Sequence, residues 1–322
     1  MKKKVLIIKL GAIGDVIHTT SIATAIKEKH PDWEVHHLTS GQITPIVEVH
    51  PHIDKVYEWD AKKRKSYRYL WEIASLLRKE RYDIIFNMSR TLRNSLLAIL
   101  SLPKKIVDKQ DFNKPWVEEY FLSAQKYVTD ISLPKRLYCG TNPEADKFIE
   151  NNLKDYPRPY IIISPAGEAH KNRPGRTWSL GKWNNLTEEL KNFGGTIFTI
   201  GSEKEAEAHS ILKNTVIFSG KFTLQETASF IAKANLFIAG DTGPSHIAAA
   251  YGIPTITLFG STSPDKIRPY GENNFVVETP HECRYCWKKK KCPIAPDSTT
   301  TPCMEAITPE TIIKIIKENH LL

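Results

Sequence analysis

Residues 5–18 read VLIIKLGAIGDVIH, and the pattern of this stretch decides the fold class. Its first four residues form a continuous apolar run, which is typical of a parallel strand that is buried on both faces. Gly11 and Gly14 then mark a turn, and the apolar positions between Val16 and Lys29 predict an amphipathic helix. A buried strand, a glycine turn and a helix in this order are the first half of a βαβ unit.

The same alternation of strands and helices continues along the chain in two series. The predicted strands are residues 5–8, 34–39, 55–58, 83–87, 160–164, 196–200, 216–218, 236–239 and 255–259. The predicted helices are residues 16–29, 43–49, 67–81, 92–100, 180–192, 203–212, 224–234, 244–251 and 309–319. We therefore predict an α/β protein of two doubly wound, Rossmann-like halves that face each other across a cleft. Ligands of such sheets bind beyond the carboxyl ends of the strands.

A polar, proline-bearing segment at residues 155–159 separates the two series. It predicts a first domain of residues 1–155 and a second of residues 156–322, which agrees with a length of 322 residues that is too great for one comfortable core. The pattern leaves open whether the final helix packs back on the first domain.

Composition excludes several classes of protein. A hydrophobic fraction of 41% and a charged fraction of 25% are close to the globular average, which excludes a disordered or fibrous chain. No apolar run reaches the roughly 18 residues of a membrane-spanning helix. The start resembles a secretory signal only over four apolar residues before Lys9 and Asp15 interrupt it, so we expect a cytoplasmic protein.

The positive charge of the chain is concentrated in one segment. The whole chain carries a net charge of +9, and residues 60–110 alone hold thirteen Lys/Arg against five Asp/Glu, a net +8. Such a segment attracts nucleic acid, anionic lipid headgroups, or an acidic sugar or phosphate substrate. The alternative is a solvated helix face without a partner.

Two strand-to-helix loops have features that suit chemistry. In the first, Asp15 follows Gly14 at a helix start, where the helix dipole stabilises a carboxylate; it is either a helix-start residue or a general base. The second loop, residues 239–250, reads AGDTGPSHIAAA, and its backbone N–H groups with the Thr242 and Ser245 hydroxyls suit a diphosphate. The alternative is that this loop only caps its helix. Neither loop has the G-x-G-x-x-G spacing of a dinucleotide site.

Taken together, the two loops resemble a known family. Residues 11–20, GAIGDVIHTT, and residues 241–264, DTGPSHIAAAYGIPTITLFGSTSP, resemble the ADP-heptose:lipopolysaccharide heptosyltransferase family, and so does the segment 303–309, CMEAITP. The resemblance implies a GT-B fold with an acceptor-binding first domain and a sugar-nucleotide-binding second domain. It also implies an inverting transfer that needs no divalent metal in its chemistry.

The resemblance also implies roles for individual residues. Asp15 matches the family's general base. The sugar-nucleotide-binding residues that it implies are Gly14, Arg176, Glu205, Asp241, Thr242, Gly243 and His246. Arg176 stands where the family often has a lysine on the diphosphate, and Lys171 is the alternative. Glu205 matches the acidic position near the ribose, with Glu203 as its alternative.

On this interpretation, the basic segment binds an anionic acceptor, the inner core of lipopolysaccharide. The acceptor-binding residues that we predict are Lys62, Lys63, Arg64, Lys65, Arg68 and Arg93, with Arg90 on the same side. Peripheral contact with the inner face of the cytoplasmic membrane is expected for the same reason. Tyr67, Tyr69 and Trp71 lie among these charges, a mixture that single-stranded nucleic acid also uses, but no RNA-binding module is present and no nucleic acid is expected.

Four of the five cysteines are clustered as Cys283-x2-Cys286-x5-Cys292-x10-Cys303. Four thiols can supply a tetrahedral site for structural zinc or iron, and the lysines at 288–291 would offset the thiolate charge. The intervals are not those of regular paired knuckles, so reduced structural cysteines are the alternative.

Two rival functions stay open at this point. The first is a glycosyltransferase of the same fold that uses another nucleotide sugar or a protein acceptor. The second is a non-catalytic protein that binds nucleotides or polyanions through the same two loops.

Overall fold

The computed structural model describes residues 2–89, 91–165, 175–280, 283, 285, 286, 292–295, 298 and 300–322. The chain divides into two compact units, Met1–Gly140 and Thr141–Leu322. Each unit is built on its own parallel sheet.

The first unit contains a five-stranded sheet in the order β3-β2-β1-β4-β5, with every neighbouring pair parallel. Its strands are β1 (Lys4–Ile8), β2 (Glu34–Ser40), β3 (Lys55–Trp59), β4 (Ile84–Asn87) and β5 (Lys105–Asp108). Its helices are α1 (Ile13–Lys29), α2 (Thr44–Glu48), α3 (Tyr67–Lys79), α4 (Leu92–Leu100) and α5 (Trp116–Gln125), with a short 3-10 turn at Ala61–Lys63.

The second unit contains a six-stranded sheet in the order β11-β10-β9-β6-β7-β8. Its strands are β6 (Tyr160–Ser164), β7 (Thr196–Thr199), β8 (Val216–Ile217), β9 (Leu236–Gly240), β10 (Thr255–Phe259) and β11 (Asn274–Glu278). Its helices are α6 (Pro143–Leu153), α7 (Leu180–Leu190), α8 (Ala206–His209), α9 (Leu224–Ile231), α10 (Gly243–Ala250), α11 (Pro264–Ile267), α12 (Pro302–Glu305) and α13 (Pro309–Glu318).

The strand orders place a topological switch point in each unit. If the strands of each unit are numbered along the chain, the order across the sheet is 3-2-1-4-5 in the first unit and 3-2-1-4-5-6 in the second. The direction of winding therefore reverses between β1 and β4 and between β6 and β9. This is the Rossmann-like order that the alternation predicts. Loops that leave the two central strands diverge there, and the crevice between them is the usual ligand site of such a sheet.

The apolar run at β1 is buried because helices cover both faces of the sheet. Val5 and Ile7 belong to a core cluster with residues of α1 and α5, whereas Leu6 and Ile8 belong to a cluster with residues of α3 and α4. Successive side chains of a strand point to opposite faces, so a strand between two helix layers needs apolar residues at every position.

Helix α1 is not the amphipathic helix that its sequence predicts. Most of its residues are buried, because both the sheet and α5 pack against it. Its polar residues tolerate burial because Thr19, Thr20 and Ser21 donate their hydroxyls to backbone carbonyls three residues earlier, at 2.7, 2.7 and 2.8 Å.

The units divide after Gly140, whereas the sequence predicts a boundary after Asp155. The difference arises from α6, which the sequence pattern misses. Its buried face of Ala145, Ile149 and Leu153 packs in the second unit, where α6 contacts α9. The final helix α13 also belongs to the second unit, because it packs on α7 and its isoleucines enter that unit's core.

Helices of the described residues lack the combination of length and apolarity that crossing a bilayer requires.

Candidate active site

In the first unit, Asp15 lies at the switch point, in the first turn of α1. Its carboxylate is half-buried, and Oδ2 is 3.5 Å from Nζ of Lys9, which directly follows β1. A Cβ atom on Gly11 would lie 3.2 Å from this Oδ2 and 3.4 Å from Cε of Lys9. Glycine at this position therefore leaves room for the carboxylate and the lysine side by side.

Lys9 is held by groups from both sides of the switch point. Its ammonium donates to the hydroxyl of Tyr120 at 2.7 Å and to the carbonyl of Met88, after β4, at 3.4 Å. Burial lowers the pKa of Lys9, and the neighbouring Asp15 carboxylate opposes that shift. Burial also raises the pKa of Tyr120, so its hydroxyl keeps its proton. Neither Lys9 nor Tyr120 is among the site residues predicted from the sequence. A lone lysine directly after a buried strand is a pattern from which Lys9 could have been predicted.

A cavity of about 700 Å³ opens beside this loop, within the first unit. Loops that follow β1, β2 and β3 line it, and its charged lining residues are Glu58, Asp60, Lys62 and Arg64. Two of the predicted acceptor residues, Lys62 and Arg64, therefore face the same cavity.

The other predicted acceptor residues do not line this cavity. Lys63 is 3.8 Å from Asp60, and Arg68 is 3.1 Å from Glu72. Arg93 donates to the carbonyl of Ser66 at 3.4 Å. Lys65 is exposed, and Arg90 lies outside the described residues.

In the second unit, Arg176 and Asp241 meet at the other switch point. Arg176 lies in the loop after β6 and Asp241 directly after β9, and both side chains are largely buried. Nη2 of Arg176 is 3.1 Å from Oδ2 of Asp241, and Nη1 donates to the Asp241 carbonyl at 3.4 Å. Two contacts from one guanidinium fix the orientation of the arginine.

Gly175 anchors the arginine loop to the loop after β10. Its φ of +79° is in the left-handed region, and a Cβ atom there would lie 2.6 Å from Cβ of Ser261. The Ser261 amide donates to the Gly175 carbonyl at 3.0 Å. This close approach requires glycine and holds Arg176 beside β9 and β10.

The start of helix α10 follows Asp241 directly. Thr242 is the N-cap, but its side chain does not cap the helix, and its buried Oγ1 has no hydrogen-bond partner among the described residues. The Ser245 hydroxyl donates to the Thr242 carbonyl at 2.6 Å. The Thr242 hydroxyl and the first-turn amides from Gly243 onward are thus suited to an anion, whereas the Ser245 hydroxyl serves the helix. His246, the residue after Ser245, is buried.

Glu205 is buried in a capping box after β7. Its Oε2 accepts from the amide of Ser202 at 2.7 Å and from the Ser202 hydroxyl at 2.8 Å. This carboxylate holds the turn after β7. The alternative to a ribose role for both glutamates is an exposed helix-start carboxylate; Glu203 is exposed, whereas Glu205 is buried. Lys171, the alternative to Arg176, lies outside the described residues.

The clustered cysteines are close enough to influence one another. Cys292 and Cys303 are buried, and Cys283 and Cys286 are half-buried. Burial raises the pKa of the Cys286 thiol, and the other three thiols raise it further. Within the described part of the chain, however, three cysteine sulfurs do not lie within 4.8 Å of one another. Lysines 288–291 lie outside the described residues.

One group of three candidate ligand atoms within 4.8 Å does occur among the described residues: Glu34, His36 and Glu80. Lys4 lies 2.6 Å from Glu80 and 3.3 Å from Glu34, and Lys55 lies 2.7 Å from Glu80. The carboxylates already have cationic partners, so this group is an ion-pair network at the amino end of the sheet rather than a metal centre.

Comparison with known proteins identifies the family. The family model described as glycosyltransferase family 9 (heptosyltransferase) matches residues 70–295. The chain belongs to glycosyltransferase family 9.

Individual relatives agree with this assignment. Lipopolysaccharide heptosyltransferase 3 of Escherichia coli is 26% identical over 291 residues, which cover 81% of this chain and 84% of the relative. Among solved structures, a family 9 glycosyl transferase from Veillonella parvula has a TM-score of 0.85 and 20% identity, covering 100% of this chain and 98% of that chain. The ADP-heptose lipopolysaccharide heptosyltransferase II of Escherichia coli has a TM-score of 0.78 and 18% identity, with coverage of 100% and 98%.

These findings confirm the main predictions from the sequence. The resemblance to the heptosyltransferases holds, and this family 9 member is a glycosyltransferase. Its GT-B class, with two Rossmann-like units, agrees with the two observed strand orders and with the solved family 9 structures.

Proposed function

We propose that this family 9 glycosyltransferase moves heptose from ADP-heptose to the inner core of lipopolysaccharide, with inversion at the anomeric carbon and Asp15 as general base. The observation that carries the proposal is the position of Asp15: a half-buried carboxylate at a switch point, beside a buried lysine and a cavity whose lining includes two cations and two carboxylates. The names of the relatives support the choice of heptose and lipopolysaccharide.

The chemical step needs a base because an acceptor hydroxyl is a very weak acid at neutral pH. The hydroxyl oxygen attacks the anomeric carbon, its proton passes to Oδ of Asp15, and the bond from that carbon to the ADP oxygen breaks with its electron pair on ADP. Attack from the face opposite the leaving group inverts the configuration. A positioned base contributes roughly 100-fold or more to such a step.

The second unit supplies the groups that fit the departing diphosphate. Arg176, oriented by Asp241, offers a fixed cation, and Thr242 with Gly243 offers a hydroxyl and backbone amides at a helix start. Negative charge that gathers on ADP in the transition state is stabilised by such preorganised donors. We assign His246 to the same subsite.

Gly14 and Glu205 complete the proposed donor set. Gly14 is buried beside Asp15, where its small size permits close approach of the sugar. Glu205 is proposed for the ribose, as the buried carboxylate at the turn after β7.

The basic residues of the first unit are proposed for the acceptor. Lys62 and Arg64 would bind the acidic sugars of the inner core within the cavity. Lys63, Lys65, Arg68 and Arg93 would bind anionic groups further along the lipid-linked acceptor. The acceptor's lipid anchor is the reason to propose that the enzyme works in the cytoplasm, in peripheral contact with the membrane.

A panel of nucleotide sugars tests the donor assignment. ADP-sugars should raise the melting temperature more than UDP- or GDP-sugars, because a ligand that binds only the folded state stabilises it in proportion to its affinity. Equal rises with all three bases would remove the ADP-heptose assignment and favour a glycosyltransferase with another donor. Binding of ADP-heptose without transfer to any core acceptor would favour a non-catalytic binding protein.

We propose separately that the four clustered cysteines hold one zinc or iron ion with a structural role. Four soft donors, two of them buried, suit either ion, although binding would have to draw the sulfurs to about 2.3 Å from zinc. Protein purified without chelators should then carry about one ion per chain, and Cys283→Ser should lower the melting temperature while Cys139→Ser should not affect the ion content. Elemental analysis that finds no bound metal would show that these thiols are reduced structural cysteines.

A further inference from the structure

Helix α4 has an apolar stripe on the face that points away from the sheet. Leu92, Leu96 and Ile99 are spaced i, i+4 and i+7, so they share one side of the helix. All three are exposed, Leu92 to 92% and Ile99 to 56%. The opposite side, with Leu97 and Ala98, is buried in the core on the sheet.

Helix α3 extends this stripe with two aromatic side chains. Tyr67 is 75% and Trp71 53% exposed. The Arg93 guanidinium at the start of α4 lies 5.4 Å from the Tyr67 ring centre, and Arg78 near the end of α3 lies 5.3 Å from that of Trp71.

Arg78 also donates to the Leu100 carbonyl at 2.8 Å, so the ends of the two helices lie close together, as their starts do through Arg93. We call the following exposed apolar side chains of these two neighbouring helices and of Leu102 after them the α3–α4 surface. Its residues are Tyr67, Trp71, Leu92, Leu96, Ile99 and the exposed Leu102.

Exposed cations lie on the two helices and in the segments next to them. Apart from Lys62 and Arg64, which line the cavity, they are Lys63, Lys65, Arg68, Lys79, Arg81, Lys104 and Lys105. The carboxylates at its edge are fewer: Asp60 lies near Lys63, Glu72 pairs with Arg68, and Asp83 pairs with Lys104. The surface therefore keeps a positive excess around an apolar centre.

We propose that the α3–α4 surface binds to the face of an anionic lipid bilayer. Leucine and isoleucine side chains would enter the acyl boundary, tyrosine and tryptophan would lie at headgroup level, and the surrounding cations would contact lipid phosphates. A bilayer fits better than nucleic acid, because the centre of the patch is a stripe of aliphatic side chains that offers bases little to stack on. The proposal identifies the membrane-contacting surface for the proposed function, and it rests on that function only for its biological purpose.

Vesicle co-sedimentation tests the proposal directly. Wild-type protein should bind vesicles of phosphatidylethanolamine and phosphatidylglycerol and should bind phosphatidylcholine vesicles much less. Binding should weaken as salt rises from about 0.1 M to 1 M, where the Debye length shrinks from about 10 Å to about 3 Å. The variant Leu92→Gln/Ile99→Gln should lose on the order of tenfold in vesicle affinity, because it removes two aliphatic side chains from the acyl boundary.

A matched control uses two exposed apolar side chains of the second unit, Phe148 and Ile211. The variant Phe148→Gln/Ile211→Gln should bind vesicles like wild type. Melting temperatures of both variants should stay close to that of wild type, because the replaced side chains are exposed and glutamine is a good helix former at the three of these positions that lie in helices. Equal vesicle binding by all three proteins would overturn the proposal, and so would a wild-type dimer in solution that only the α4 variant disrupts, without vesicle binding.

Activity measurements separate this proposal from the proposed function. The α4 variant should transfer heptose to a lipid-free core oligosaccharide at the wild-type rate and to the same acceptor on vesicles about tenfold more slowly at limiting lipid. Vesicle binding without transfer to either acceptor would refute the proposed function and leave the α3–α4 surface intact. Equal loss of activity on both acceptors would show that the surface acts in the site rather than on the membrane.

Discussion

The buried contact between Lys9 and Asp15 gives the proposed base a fixed cationic neighbour. Lys9 is held in turn by Tyr120 and by the carbonyl of Met88, so the ammonium has little freedom to leave Asp15. An ammonium held in this way restricts where the Asp15 carboxylate 3.5 Å from it can lie. Lys9 is therefore expected to act as a positioning residue for the base.

Lys9→Met should lower kcat for sugar transfer about tenfold and leave the Kd for the ADP-sugar unchanged. The physical reason is the loss of the ammonium 3.5 Å from the Asp15 carboxylate, which fixes where that carboxylate lies. Lys109→Met is the matched control, because Lys109 is also largely buried and near Tyr120 but forms its ion pair with Glu119. An unchanged kcat in Lys9→Met, with the protein folded, would remove Lys9 from the mechanism.

At the scale of elements, the donor subsite depends on how three loops of the second unit meet. The loops after β6, β9 and β10 supply Arg176, Asp241 and Ser261, and Gly175 is where the first and third touch. Backbone packing between these loops, at the carboxyl ends of the strands, therefore sets the positions of the three side chains.

Gly175→Ala should lower both stability and affinity for ADP-sugars. Alanine at a φ of +79° is strained, and its Cβ would press on Ser261, so the loop that carries Arg176 must move. Gly194→Ala provides the control, since Gly194 has a φ of +75° but no atom within 4 Å of the added Cβ, at least among the described residues. Each variant should lose about 1 kcal/mol or more from backbone strain, but only Gly175→Ala should raise the Kd for ADP. Equal ADP binding by the two variants, measured calorimetrically, would show that the contact does not position Arg176.

The sequence predicts the central strands well because they are buried on both faces. β1 and β6 are continuous apolar runs, and such runs differ clearly from their surroundings. β5 escaped prediction because it is a four-residue edge strand, KIVD, with exposed ends. α6 escaped because its buried face consists of only Ala145, Ile149 and Leu153, among charged and polar residues just before the predicted linker.

The residues of the candidate site also divide into those that a local sequence motif reveals and those that only the folded chain brings together. Asp15 and the loop from Asp241 to Gly243 lie in local motifs, so they are visible in the sequence. Tyr120, the hydrogen-bond partner of Lys9, is not visible in this way, because it lies 111 residues away and only the folded sheet brings the two side chains together. The capping role of Glu205 was open to prediction, since Ser202 three residues earlier forms the S-x-x-E pattern of a capping box.

For the molecule as a whole, buried histidines of the first unit set its tolerance of acid. Burial lowers the pKa of His37 to about 3 and that of His50 to about 3, and for His50 the neighbouring histidines His52 and His37 add to the effect. The folded protein therefore keeps both rings neutral, while the unfolded chain takes up protons below a pKa of about 6.5.

Stability should accordingly fall as the pH drops from about 6.5 toward 3. As the pH falls, each histidine that stays neutral in the folded state lowers the free energy of unfolding by up to about 1.4 kcal/mol per pH unit. The two histidines together should therefore lower it by roughly 3–4 kcal/mol between pH 7 and pH 5. Urea unfolding of the wild type and of His37→Gln/His50→Gln checks this expectation. The variant, less stable at pH 7, should lose much less between the two pH values, and an equal loss would place the acid sensitivity elsewhere.

The most direct test of the whole account is the pairing of turnover with donor affinity in Asp15→Asn. Asparagine keeps the size and much of the hydrogen bonding of aspartate but accepts no proton at neutral pH. We predict that kcat for heptose transfer falls roughly 100-fold or more, while the Kd for ADP-heptose changes little, because the proposed donor groups other than Gly14 lie in the second unit. Asp32→Asn, at an exposed turn, should leave both values unchanged. Transfer by Asp15→Asn at a rate near that of the wild type would contradict the account, and the buried His18 on the same helix would become the next candidate for the base.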